Sequence, residues 1–233
     1  MSIRGHTFID RALYLPKSRT GDPTKLAATH VPEAVSFATK PALAVDMIQR
    51  ALAADVPFSW VAADAVYGVG DIEGALRRAC KGYVLGVKSG HCFGSWTGKP
   101  PVAGTAQQIA RDLPCDAWQR LSPGEGTRGA RLHDWACCKL ADLGADEYDE
   151  AKSGLWTRGL LIRRSISDGD LAFFTTWCPA GTSIQTLVSV EGHRWAIEDS
   201  FESAKTNSAS ITTKPGHGTD GIDTSPSSCS PSP

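Results

Sequence analysis

Apolar positions in the first half of the chain recur with two periods that alternate along the sequence. Ala44, Met47, Ile48, Ala51 and Leu52 fall at helical spacing and predict a helix over residues 42–54. The short apolar run from Phe58, just after Pro57, predicts a strand that ends at Asp64. Ile72, Ala75, Leu76 and Ala79 mark the inner face of a second helix, from Asp71 to Cys80, which Gly82 is expected to stop. Tyr83 to Val87 predicts the next strand. An earlier strand-like run covers Thr7 to Leu15, and a loop rich in Pro, Lys and Thr reaches about Pro41. The order β-α-β-α-β fits an α/β sheet with a parallel part.

From about Lys88 to Cys178 the pattern changes, with Gly, Pro and Trp separating short segments such as Trp118 to Leu121, Ala130 to Leu140 and Trp156 to Ser165. Ser167-Asp168-Gly169 joins the last of these to Leu171–Trp177 as an expected hairpin. Core packing is the expected role of Trp96, Trp118, Trp135, Trp156 and Trp177.

Helical periodicity returns from Arg194 to Lys205. At about 100° per residue, Glu198 lies roughly 40° from Arg194 and Lys205 roughly 20° from it, so one carboxylate projects between two cations on a single face. Alone, this reads first as a solvated face whose Arg/Glu pair contributes a few tenths of a kcal/mol. Asp64 adds a second acid. It follows a buried strand, where open α/β sheets place ligands, and it is too far upstream to be a simple cap for the helix beginning at Asp71.

Together these residues resemble a known family. Arg194, Glu198 and Lys205 are spaced as in the tyrosine-arginine-glutamate-lysine signature of bacterial insertion-sequence transposases of the DDE type, with Glu191 at the tyrosine position. Ala63-Asp64-Ala-Val-Tyr67-Gly68 is similar to their second-acid motif. The stretches His6 to Lys17 and Gly192 to Glu198 resemble one branch of the group, so the likeness runs from Gly5 to Lys205.

The resemblance implies an incomplete ribonuclease-H-like mixed sheet with flanking helices and a β-rich insertion at about 88–178, within a catalytic domain spanning 1–205. It implies that Asp64 and Glu198 are the second and third acids holding Mg²⁺ or Mn²⁺, and that Arg194 and Lys205 contact DNA phosphate or orient Glu198. Two such ions about 3.5–4 Å apart activate a water or 3′-hydroxyl and stabilise the leaving oxygen. Its implied partners are DNA, at insertion-sequence ends, and other transposase subunits.

The family's first acid lies upstream of the segment matched here, and Asp10 reads as an ordinary strand-face residue. The chain is therefore expected to be truncated at its start and not to cut DNA by itself. Residues 206–233, rich in Ser, Thr, Gly and Pro, read as a disordered tail. Permitted codons for that tail, shifted in frame, spell a continuation beginning glutamate-leucine-glycine-leucine-aspartate that resembles the family, so a frameshift after Lys205 is expected. The alternative role is a noncatalytic product that inhibits transposase by binding subunits or DNA ends.

Composition narrows the remaining options. The 233 residues, 41% hydrophobic, suffice for one sizeable domain. No apolar run reaches the length of a membrane span, and the polar start lacks a signal-peptide core, so a cytoplasmic location is expected. With 24 basic and 25 acidic residues there is no overall cationic character, and any DNA surface must be local; Arg158, Arg163 and Arg164 are candidates for it. The seven cysteines contain no paired zinc spacing, and reduced thiols are expected.

Overall fold

The computed structural model describes residues 7–29, 31, 35–93, 104–126, 129–140 and 156–195. Two short helices, α1 (Lys17–Thr20) and α2 (Pro23–Ala28), precede α3 (Lys40–Ala53). The β-α-β unit follows as β1 (Trp60–Ala63), α4 (Gly70–Arg78) and β2 (Gly82–Val87). Next come β3 (Cys92–Phe93), β4 (Gly104–Thr105), α5 (Ala106–Arg111), a 3₁₀ turn at Cys115–Ala117, β5 (Gln119–Leu121), β6 (Glu125–Gly126) and β7 (Gly129–Ala130). Three longer elements, β8 (His133–Lys139), β9 (Trp156–Arg164) and β10 (Leu171–Pro179), lead to α6 (Ile184–Gly192).

The main sheet has six strands in the order β1-β2-β10-β9-β8-β5. β1 and β2 are parallel, with Ala63 opposite Leu85, and every later pairing is antiparallel. The result is the mixed α/β sheet with flanking helices that the sequence predicted. The strands within 88–178 extend the sheet of β1 and β2: β10 lies directly against β2, with Thr175 opposite Leu85.

Alternation along the strands distributes the helices over the two faces. Tyr83 and Leu85 point toward α4, packing with Ile72, Leu76 and Trp177. Val87 joins Leu160, Ile162 and Phe173 under Ile109 of α5. Val84, Leu161 and Phe174 point the other way, against Leu187 and Val188 of α6, with Trp135 beside them. β2 is buried along its whole length, as expected of a central strand covered on both faces. Trp135 and Trp177 are core residues, 0% and 2% exposed.

Three expectations need correction. Residues 7–16 form no strand; Phe8, Ile9 and Leu13 are exposed, and the run, with Phe8-Ile9 and Asp10-Arg11 as adjacent blocks, lacks the period-2 pattern that would give a strand one apolar face. Asp10 is accordingly not a strand-face residue: its carboxylate pairs with Arg50 of α3 at 2.8 Å. Finally, α4 ends before Gly82. The Lys81 N–H donates to the Leu76 carbonyl (2.9 Å) around Cys80, whose φ of 53° takes the left-handed position usually held by glycine.

Candidate active site

Asp64 follows β1 immediately and is exposed. Its Oδ1 accepts a hydrogen bond from the Val66 N–H (2.8 Å), and its carbonyl accepts one from the Tyr67 N–H (3.0 Å). These bonds fold Asp64–Tyr67 into a tight turn, with Asp64 serving the turn and not the N-terminus of α4, whose N-cap is Val69.

Two glycines press this turn against β2. A Cβ on Gly86 would stand 2.7 Å from the Ala65 nitrogen and 2.8 Å from the Asp64 carbonyl carbon. A Cβ on Gly68 would run into the Gly86 carbonyl oxygen. The acid's position is thus set by backbone-to-backbone contact, the firmest support available to a loop residue.

Asp64 stands between two clefts. The larger, about 950 Å³, runs past Val66 and Gly68 to Lys88, Ser89 and His91. The smaller, about 370 Å³, runs past Gly86 and Phe174 to Arg163 and Arg194. Among the described residues lining them, Asp64 is the one acid, surrounded by Lys88, Arg163 and Arg194. Burial, with a smaller contribution from Arg158, holds His91 below the ordinary histidine range, against the opposing pull of Glu73. The two linings thus hold three cations and one acid, a local excess of basic side chains.

Of the residues predicted for the site, the structure brings Asp64 and Arg194 to the same cleft. Glu198 and Lys205 lie outside the described residues, as does the helix expected to carry them. Arg158, Arg163 and Arg164 do not form one patch. Strand alternation sends Arg163 to the α6 side, while Arg164 pairs with Asp134 at 3.3 Å and Arg158 lies over the Phe93 ring.

Glu191 is the residue whose role the sequence did not show. It is 1% exposed, on the buried face of α6 beside Leu187 and Val188. Its Oε1 lies 3.4 Å from Arg163 Nη1 and 3.7 Å from Arg194 Nη2. Burial pushes its carboxyl above the usual carboxylate range, and the two arginines oppose that shift. The signal was available in the spacing: a glutamate at a position the helical period assigns to the core, with an arginine three residues on.

A hard divalent cation takes oxygen ligands, carboxylates among them. Asp64 offers one at the mouth of two clefts, so its chemistry fits such an ion. No group of three His, Cys, Asp or Glu able to hold a metal occurs among the described residues; Mg²⁺ commonly takes one or two carboxylates and completes its shell with water and phosphate oxygens.

The family model described as DDE superfamily endonuclease matches residues 1–120, the portion containing Asp64, Gly68 and Gly86. No curated protein matches the chain.

Proposed function

Because the chain belongs to the DDE superfamily of endonucleases, whose members act on DNA with divalent metal ions, we propose that Asp64 is a metal-ligating acid of an insertion-sequence transposase site. Glu198 is the further acid of this reading, and Arg194 and Lys205 are its phosphate contacts. The observation that carries it is the placement of Asp64 at the C-terminal end of a strand in a parallel pair, exposed, in one cleft with Arg194.

Each resident group has a separable task. Asp64 supplies hard oxygen to Mg²⁺ or Mn²⁺, and the bound ion supplies the Lewis acidity that activates a water or 3′-hydroxyl against the phosphodiester. Arg194 meets the non-bridging phosphate oxygens with a planar donor set. Gly86 and Gly68 keep the acid fixed while the DNA is engaged.

The test is calorimetric titration of Mn²⁺ into the wild-type chain and the Asp64→Asn variant, combined with Mg²⁺-dependent nicking of supercoiled plasmid. The expected result is a Mn²⁺ heat that disappears in the variant. Identical heats in the two proteins would overturn the metal role of Asp64. Asp64-dependent metal binding together with DNA binding, but no nicking, would favour the noncatalytic inhibitor.

A further inference from the structure

We propose that Glu191 is a positioning residue that sets Arg163 and Arg194 as a two-guanidinium clamp for a DNA phosphate beside Asp64; the proposal rests on the reading of the Asp64 cleft as a DNA site. Packing alone does not account for a carboxylate at this position. The neighbouring positions on the same helix face are Leu187 and Val188, and an apolar side chain of similar volume would avoid the several kcal/mol of desolvation that a buried ion incurs. Nor is the carboxylate arranged for greatest stability. The two arginine contacts at Oε1 are long, at 3.4 and 3.7 Å.

The arrangement is accounted for by what it does to the arginines. They arrive from different elements, Arg163 from β9 and Arg194 from the turn after α6, and converge on a single oxygen. Each side chain keeps about a fifth of its surface exposed, 20% and 21%, and both line the cleft that holds Asp64. Arg163 is further held 6.0 Å from the Trp135 and Phe174 ring centroids. Arg194 lies 5.1 Å from the Trp195 ring centroid. Guanidiniums present several N–H donors in a fixed fork, and the pair is therefore suited to a phosphate that Asp64 and its metal would also face.

The experiment measures metal-free binding of a short fluorescein-labelled DNA duplex of arbitrary sequence by anisotropy across a salt series. Proteins are the wild type, Arg163→Ala, Arg194→Ala, Glu191→Gln, Glu191→Ala and the Glu191→Ala/Arg163→Ala double variant. Each arginine variant is expected to reduce the slope of log affinity against log salt by about one. Removing the Glu191 charge makes the protein more positive, so a glutamate serving only as counter-charge predicts tighter binding on substitution. Positioning predicts the opposite: weakening of about 3- to 10-fold in both Glu191 variants, with the double variant little worse than either single one.

Tighter or unchanged binding in the Glu191 variants would overturn the proposal. If Glu191→Ala fails to fold, the nearly isosteric Glu191→Gln decides the question alone. The Mn²⁺ titration of Asp64→Asn separates the two readings. Metal binding lost there, with DNA binding tightened in the Glu191 variants, leaves the metal site standing and removes the clamp.

Discussion

Glu73 and Glu191 are the two buried acids among the described residues, 3% and 1% exposed, and each faces arginine, yet they are built differently. Glu73 is satisfied locally. Arg77, one turn along α4, meets it at 2.7 Å with both side chains only 4% exposed, and the Tyr83 hydroxyl donates to the same oxygen at 3.2 Å. Burial, then the nearby Glu73 charge, pushes the Tyr83 phenol above its ordinary range, so it remains a donor. Glu191 instead draws one partner from β9 and one from the turn that ends its own helix, both at longer range, and both line the cleft. A short, closed ion pair supports the fold. A stretched pair at a cleft keeps about a fifth of each arginine side chain at the cleft surface.

The largest expected effect comes from breaking the closed pair. Glu73→Ala strands the Arg77 charge in a dry site and should cost about 3–5 kcal/mol in urea unfolding. Replacing both Glu73 and Arg77 by leucine should recover most of that loss, because the cost lies in the uncompensated charge and not in the missing attraction. Glu191→Ala should cost less, about 1–2 kcal/mol, since Arg163 and Arg194 can turn to water. Equal losses at the two sites would end the distinction. Tyr83→Phe, which removes one hydrogen bond and leaves the Glu73–Arg77 pair, should cost about 1 kcal/mol.

Legibility in the sequence follows the same division between local and distant causes. Periodicity found α3, β1, α4, β2 and the β9–β10 hairpin because each has its own apolar pattern and flanking turns. Asp64 was readable because a strand end and a motif coincide there. The strand expected over Thr7 to Leu15 failed because its apolar and polar residues come in adjacent blocks, so no single strand face gathers the apolar ones. The end of α4 was misplaced because Cys80 takes a conformation that composition assigns to Gly82. α5 went unread although its capping box was present: Thr105 accepts from the Gln108 N–H, and Gln108 Oε1 accepts from the Thr105 N–H. The contact of Gly86 with the Asp64 turn and the pairing of Arg163 with Glu191 are made across the sheet and between β9 and α6, which no local window contains.

The smallest effect separates the contributions acting on Glu191 itself. Its folded-state pKa lies above the ordinary glutamate range, burial being the largest cause, so folding favours the protonated form. That contribution is fully present below the unfolded value of about 4.3 and is lost as pH rises through the folded value. Glu191→Gln has no such titration. The stability of wild type minus that of the variant should therefore fall as pH rises across this window, then level off. His133, pushed down by burial first and Arg163 next, titrates in both proteins and largely cancels in the difference. Urea unfolding of both proteins, from below the glutamate range to neutrality, measures that difference. A rising difference would mean that the arginines outweigh burial, making Glu191 a stabilising pair of the same kind as Glu73 and removing the contrast between them.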